Sequence, residues 1–246
     1  MKKKIPYGHH EMENTDIEAV VSALKAWSIT QGQICEDFGQ AIADYTGSKY
    51  GIAVSNGTAA LHMAVTAIGI KPGDEVITTP ITFAATATSA IYQGASVKLV
   101  DIDPFSLNLD HSKIEEIISH KTKAIIPVDF RGHPAPLVEI NNIAKKYNIK
   151  VIEDGSHSIG SSYYDAGKKF MCGDGAHVDI CTFSFHPVKH ITTGEGGAIL
   201  TNNFKIYKKL QLLRKHGIDR NKSMFNKEKR IGSWIYELND IGFNYR

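Results

Sequence analysis

Residues 178–201 read VDICTFSFHPVKHITTGEGGAILT and place a lysine between two apolar segments. The first segment, 178–185, is rich in β-branched and aromatic residues and predicts a strand that ends just before Lys189. The second segment, Gly197–Thr201, predicts another strand beyond a glycine-rich loop. Lys189 therefore follows the carboxyl end of a strand, which is the edge where open α/β sheets bind their ligands.

The position of Lys189 predicts carbonyl chemistry. A lysine withdrawn from water loses part of its affinity for a proton, so its neutral amine can attack an aldehyde or ketone and form a Schiff base. For the other lysines of the chain, a solvated surface position is the simpler interpretation. His186 and His190 flank Lys189, and packing roles are expected for them.

Length and composition are those of an ordinary globular α/β protein. The chain has 246 residues, of which 42% are hydrophobic and 22% charged, and its net charge of +2 does not favour nucleic acid as a partner. The Met1-Lys2-Lys3-Lys4 start lacks the apolar region of a secretory signal, and no apolar run is long enough to span a bilayer. We expect a cytoplasmic protein with neither nucleic acid nor membrane as a partner.

Cysteine and histidine usage argues against metal binding. Cys35, Cys172 and Cys181 form no CxxC pair, so reduced thiols are expected rather than a disulfide framework or a zinc site. The run His9-His10-Glu11 resembles a metal cluster only superficially, because adjacent residues of one segment point in different directions. The sequence predicts no metal.

The pattern along the chain alternates helices with strands. Apolar residues at helical spacing predict helices at 15–26, about 36–45, 57–68, 82–92, 111–118 and 137–147. Apolar runs between them predict strands at 50–54, 75–79, 96–100, 123–128 and 149–153. Repeated βαβ units imply an α/β fold with a mostly parallel central sheet covered by helices.

The turn Ser55-Asn56-Gly57-Thr58-Ala59 follows a predicted strand and opens a predicted helix. Glycine allows a tight turn, and the free N–H groups of the helix could hold a phosphate. An ordinary strand-to-helix turn capped by Ser55 or Asn56 explains this segment equally well. Both interpretations stay open from the segment alone.

Asp154 directly follows the predicted strand 149–153, where an isolated carboxylate is costly without a cationic partner. A protonated pyridine nitrogen would be such a partner, although an aspartate that caps the next turn is an equal alternative. A lysine, a phosphate-binding turn and an aspartate for a pyridine nitrogen are the groups that pyridoxal phosphate (PLP) requires.

Three motifs together resemble the DegT/StrS-type family of PLP-dependent nucleotide-sugar aminotransferases: Asn56-Gly57-Thr58-Ala59-Ala60-Leu61, Glu153-Asp154 and residues 183–197. The resemblance spans essentially the whole chain and implies the large domain of the PLP-dependent transferase fold type I, which is aspartate aminotransferase-like. That domain would cover 35–246, after an N-terminal helix and active-site loop segment at 1–34. Because the family's chains continue into a smaller C-terminal domain, the resemblance implies that this domain is absent and the chain a fragment.

The resemblance assigns the chemistry to a few residues. Lys189 would bind the cofactor covalently and then shuttle a proton between the cofactor and the substrate carbon. Asp154 would keep the pyridine nitrogen protonated, so that the ring accepts electrons. Phe83 matches the position of an aromatic ring that stacks on the cofactor.

The resemblance also assigns the remaining cofactor contacts. The backbone of Thr58 and Ala59 and the hydroxyl of Ser184 would bind the phosphate. His157 matches a position near the 3′-oxygen of the cofactor, where the family more often has glutamine. Asn244 matches an asparagine that reaches the phosphate held by the other subunit, which implies a homodimer.

The reaction implied by the resemblance is transfer of the amino group of L-glutamate to a UDP-linked 4-keto-6-deoxy sugar. Related sugar dehydratases can carry histidine in place of the lysine, so Lys189 favours transamination. A PLP-binding protein without turnover is an alternative from another class. A Rossmann nucleotide binder is disfavoured, because the glycines at 194–198 precede a predicted strand rather than follow one.

Overall fold

The computed structural model describes residues 6, 8–30, 32–219 and 236–246. The helices are α1 (Asn14–Lys25), α2 (Gln33–Thr46), α3 (Gly57–Ala67), α4 (Ala84–Tyr92), α5 (Ile114–Ile117), α6 (Leu137–Tyr147) and α7 (Phe204–Leu213). The strands are β1 (Tyr50–Val54), β2 (Glu75–Thr78), β3 (Ser96–Leu99), β4 (Thr122–Ile125), β5 (Lys150–Asp154), β6 (Ser162–Asp165), β7 (Lys168–Met171), β8 (Ile180–Ser184), β9 (Gly197–Thr201), β10 (Ile218–Asp219) and β11 (Glu237–Leu238).

Seven strands form the central sheet in the order β1-β9-β8-β5-β4-β2-β3. Strands β3, β2, β4, β5 and β8 are parallel neighbours in the sheet, whereas β9 runs antiparallel to both β8 and β1. The mostly parallel α/β sheet predicted from the sequence is confirmed.

The pairing of β5 with β8 brings two chemically important segments to one edge. Asp154, the last residue of β5, is in register with Thr182, and β8 ends two residues later at Ser184. Since the carboxyl ends of parallel strands meet at the same edge, Asp154 and the loop that carries Lys189 emerge side by side.

Helices cover both faces of the sheet. Helix α3 is buried along almost its whole length, because small residues let it lie close to the sheet while Leu61 and Met63 fill the core. On the other face, Leu137 and Ile140 of α6 pack in a second core cluster. Each fully buried side chain of this size stabilises the fold by about 1.5–3 kcal/mol.

Several elements differ from the sequence prediction. The helix expected at 111–118 is a 3-10 turn, His111–Lys113, followed by the single turn α5. The β6–β7 hairpin was not predicted; its connection places Ala166 and Gly167 in the left-handed region, with φ of 46° and 80°. Helix α1 forms as expected, but none of its residues is buried.

Two further expectations concern the cysteines and the bilayer. Cys35, Cys172 and Cys181 are free thiols in the structure, as predicted. Within the described ranges, no helix has the length and apolar character needed to cross a membrane.

Candidate active site

The loop that carries Lys189 is closed at its base by backbone hydrogen bonds. The N–H of Phe185 donates to the carbonyl of Gly196 (2.9 Å), and the N–H of Thr193 donates to the carbonyl of Phe185 (3.0 Å). Inside the loop, the N–H of Lys189 donates to the carbonyl of His186 (2.8 Å). Because Phe185 is fully buried, it anchors the loop to the core while Lys189 stays half-buried.

Asp154 is a buried carboxylate at the end of β5. Its Oδ2 accepts a hydrogen bond from Thr86 Oγ1 (2.6 Å), and its Oδ1 accepts from Ser156 Oγ (2.6 Å) and from the Ser156 N–H (3.2 Å). These three donors fix the orientation of the carboxylate. Asp154 nevertheless forms no ion pair with any residue that the structure describes.

Lys189, Asp154 and His157 lie within electrostatic reach of one another. Burial lowers the pKa of Lys189, and the negative charge of Asp154 partly opposes this shift. Burial also lowers the pKa of His157; the positive charge of Lys189 acts in the same direction and Asp154 against it. The fold therefore brings together three residues that the sequence assigned to one site.

The N-terminus of α3 packs directly against the end of β8. Asn56 caps the helix, and its side chain accepts a hydrogen bond from the Ala59 N–H (2.8 Å). A Cβ added to Gly57 would lie 2.9 Å from the Cβ of Ser184, so only glycine allows this approach. The backbone of Thr58 and the hydroxyl of Ser184 thus border the same corner of the site, next to a helix N-terminus that favours anions.

Phe83 precedes the first residue of α4 and is 76% exposed. Two hydrogen bonds connect the beginning of α4 to Asp154. Thr82 Oγ1 and Thr86 Oγ1 lie 2.7 Å apart, and Thr86 Oγ1 donates to Asp154. The sequence expected 82–92 to be helical, whereas the helix begins at Ala84 and leaves the Phe83 ring outside it.

The last residues of the chain pack against α3. The Ser55 N–H donates to the carbonyl of Tyr245 (3.0 Å), and Tyr245 Oη lies 3.1 Å from Nδ1 of the buried His62. Phe243 stacks on Tyr245 and also contacts His62. Between these aromatic residues, Asn244 is exposed beside the turn that begins at Ser55.

The motif matches decide the family. The model of the DegT/DnrJ/EryC1/StrS aminotransferase family matches residues 10–246. The chain belongs to this family.

Two relatives of this family member are named for different sugar nucleotides, one UDP-linked and one GDP-linked. The chain is 42% identical over 245 residues to a UDP-4-amino-4,6-dideoxy-N-acetyl-beta-L-altrosamine transaminase of Campylobacter jejuni, covering 98% of this chain and 60% of the relative. It is 43% identical over 220 residues to the GDP-perosamine synthase of Caulobacter vibrioides, covering 89% of this chain and 54% of the relative.

Solved structures of family members have the same fold. Helicobacter pylori PseC, described as an aminotransferase of pseudoaminic acid biosynthesis, superposes with a TM-score of 0.85 at 30% identity, covering 99% of this chain and 62% of PseC. The PLP form of Spr1654 from Streptococcus pneumoniae, a sugar aminotransferase by its description, gives a TM-score of 0.84 at 27% identity, covering 98% of this chain and 62% of Spr1654. The chain thus spans about three fifths of the length of these family members.

Sequence reasoning missed two supports of the site in this family member. Thr86 and Ser156 both donate to Asp154, yet neither stood out as a candidate. Ser156 had a signal, since a serine two residues after an aspartate often closes a local side-chain hydrogen bond. No sequence signal pointed to Thr86, because its hydrogen bond to Asp154 joins residues 68 positions apart.

Proposed function

We propose that this chain binds PLP and contributes to an aminotransferase that moves the amino group of L-glutamate to C4 of a UDP-linked 4-keto-6-deoxy-N-acetyl sugar, as in pseudaminic acid biosynthesis. The observation that carries the proposal is the meeting of Lys189 and Asp154 at the carboxyl ends of neighbouring strands. Membership of the aminotransferase family supports the reaction class.

The residues present fit the chemical groups of PLP. Asp154 is a buried carboxylate with three hydrogen bonds and no ion pair among the described residues, and a protonated ring nitrogen would supply the missing cation. The N-terminus of α3 with Ser184 suits the phosphate, and Phe83 offers an exposed aromatic face to the ring. When bound, PLP supplies an electron sink for the carbon that exchanges its amino group.

Each side chain has a distinct task in this proposal. Lys189 has a lowered pKa, so more of its amine is neutral and able to bond to the cofactor and carry a proton on Nζ. Asp154 would keep a proton on the ring nitrogen. The backbone of Thr58 and Ala59 would hold the phosphate, although the Ala59 N–H already donates to Asn56 Oδ1, and His157 would lie near the ring oxygen.

The sugar substrate is supported by similarity alone. The Campylobacter jejuni transaminase favours the UDP-linked sugar and H. pylori PseC favours pseudaminic acid biosynthesis, whereas GDP-perosamine synthase has a comparable identity over a shorter alignment. A sister aminotransferase or dehydratase on another keto-sugar nucleotide is therefore the alternative within the family, and Lys189 favours transamination. Flagellin glycosylation is the process to which the pseudaminic acid assignment would belong.

The assembly proposed is a homodimer in which Asn244 reaches the cofactor phosphate of the partner subunit. The exposure of Asn244 beside its own Ser55 turn supports a contact with another chain. A second candidate function is cofactor binding without turnover, since the fit of Asp154 and of the N-terminus of α3 to PLP supports binding whether or not turnover follows.

The test is an absorbance titration of the purified chain with PLP, followed by addition of L-glutamate. We expect a visible band in the unsubstituted chain that glutamate converts to the spectrum of pyridoxamine phosphate, and loss of this band in Lys189→Ala. Lys145→Ala is the matched control, since Lys145 is exposed on α6. A band that glutamate leaves unchanged would support binding without turnover, and a band that survives Lys189→Ala would refute the assignment of Lys189.

A further inference from the structure

Asp129 and Glu153 form a pair of buried carboxyl groups behind the candidate active site. Their exposed fractions are 0% and 1%. One oxygen from each lies within 4.8 Å of the other and of the Cys172 thiol. Neither carboxyl group takes part in an ion pair within the described ranges.

Hydrogen bonds already occupy three of the four carboxyl oxygens. Asp129 Oδ1 accepts from the Ala135 N–H (2.8 Å), and Oδ2 accepts from Ser158 Oγ (2.6 Å). Glu153 Oε2 accepts from the Gly173 N–H (3.1 Å), whereas Glu153 Oε1 is buried without a donor. An unpaired buried acceptor of this kind costs about 1–3 kcal/mol.

Two carboxylates this close need a cation between them. Among the residues that the structure describes, the titratable groups that interact with the pair are Cys172, Cys181 and Tyr163, and these supply no positive charge. A metal ion would need several vacant ligand atoms, but three of the four carboxyl oxygens already accept hydrogen bonds from protein donors. A proton needs only one donor position and one acceptor.

We propose that Asp129 and Glu153 share one proton, which Glu153 carries as a neutral carboxylic acid and donates from Oε1 to Asp129, and that the pair positions Asp154 and the turn after it. The link to cofactor binding rests on the function proposed above; the shared proton and the positioning do not.

The hydrogen bonds of Asp129 explain how the pair acts on the site. The backbone N–H of Asp129 donates to the carbonyl of Asp154 (3.1 Å). This hydrogen bond links the end of β5 directly to one member of the carboxyl pair. Ser158 Oγ contacts Asp129 Oδ2 and also the carbonyl of Gly155 (3.2 Å). The pair thereby holds both ends of the turn that carries His157.

The electrostatics agree with this geometry. Burial raises the pKa of Glu153 well above its ordinary value, and the negative charge of Asp129 raises it further. Burial also raises the pKa of Asp129, but hydrogen bonds from Glu153 and Ser158 oppose that shift. The geometry decides which group is protonated: Asp129 accepts two hydrogen bonds from protein donors and Glu153 only one, so Glu153 keeps the proton and Asp129 carries the charge.

The direct test is infrared spectroscopy of the cofactor-free chain at neutral pH. We expect a carbonyl stretch of a protonated carboxylic acid that disappears in Glu153→Gln, because the amide replaces the acid with the same shape and donates to Asp129 from its nitrogen. A spectrum without any acid band lost on this substitution would overturn the proposal. So would a stoichiometric metal ion in the purified chain.

The second test follows from linkage. A group whose pKa is raised by folding binds a proton more tightly in the folded state, so its contribution to stability is complete below the unfolded pKa and is lost as the pH rises. Between about pH 5 and pH 8, we expect the melting temperature of the unsubstituted chain to fall relative to that of Glu153→Gln. A difference that stays constant with pH contradicts a shared proton.

The positioning role is tested by hydrogen exchange in the cofactor-free chain. Glu153→Ala removes the donor and should speed amide exchange at residues 154–158 by about tenfold, the equivalent of one lost hydrogen bond. Glu153→Gln should restore slow exchange. Equal exchange in both variants would defeat the positioning role. Because none of these measurements uses PLP, failure of the proposed function would appear separately, as a chain with the acid band that binds no cofactor.

Discussion

Glu153 and Asp154 are adjacent carboxyl side chains on one strand, yet their surroundings differ in almost every respect. Both are buried, with exposed fractions of 1% and 4%. Because successive strand residues point to opposite faces of the sheet, Asp154 faces the site and Glu153 faces the covering layer. Asp154 accepts three hydrogen bonds, and its negative charge raises the pKa of Lys189. Glu153 accepts one hydrogen bond and lies next to Asp129.

The difference shows that a sequence motif does not define the chemical state of its members. The Glu-Asp dipeptide contains two adjacent acids, but only Asp154 accepts three hydrogen bonds at the edge of the site. The other has an anion as neighbour and keeps a proton in our proposal. One step along the strand thus separates a group suited to ligand chemistry from a group that supports the backbone.

The contrast between the two carboxyl groups is tested most directly by replacing each of them with its amide. Asp154→Asn removes the charge that would hold a proton on the PLP ring nitrogen, so we expect the conversion of bound PLP by L-glutamate to slow about 100-fold or more, the range for losing one preorganised electrostatic group. The rate is measured by stopped-flow absorbance.

Glu153→Gln is the matched control for Asp154→Asn, since it makes the same chemical change one residue away. It preserves the shape and the donor of a neutral acid, so its effect on the conversion rate should be far smaller. Similar losses in the two variants would mean that the two carboxyl groups do not differ as described.

A subtler change leaves Asp154 in place and removes one of its donors. Thr86→Val keeps the shape of the side chain but deletes the hydroxyl that donates to Asp154 Oδ2. The loss of a hydrogen bond to a charged group costs about 1.5 kcal/mol, so the Kd for PLP should rise about tenfold. Fluorescence titration measures the Kd, and Thr86→Ser, which keeps the hydroxyl, should stay close to the unsubstituted chain.

Much of the site edge could be predicted because it follows from local patterns. The apolar run that ends before Asp154 and the run that ends before the Lys189 loop both predicted strands, and the carboxyl ends of neighbouring parallel strands share an edge. The direction of β9 was not predicted: it runs antiparallel to β8, from which residues 185–196 separate it.

The remainder depends on contacts between distant residues. Asp129 and Glu153 are 24 positions apart and meet only because the segment after β4 runs alongside β5. The β6–β7 hairpin had a weak local signal, since Tyr163 and Phe170 flank a tight turn containing Gly167, but its strands are short and largely polar. No periodicity in one segment reveals which partner a buried acid will find.

The last prediction concerns how the charge of each carboxyl group changes the pKa of Lys189, and the change should be small. The negative charge of Asp154 raises the pKa of Lys189 against the effect of burial, so Asp154→Asn should lower it further. In the cofactor-free chain, the pH at which acetic anhydride labels half of Lys189 should then move downward, as measured by peptide mass spectrometry. The exposed Lys145 serves as the internal reference. Glu153→Gln should leave the midpoint of Lys189 where it is, because a neutral acid has no charge to lose; an equal shift in both variants would show that Glu153 is ionised and that its carboxylate also acts on the lysine.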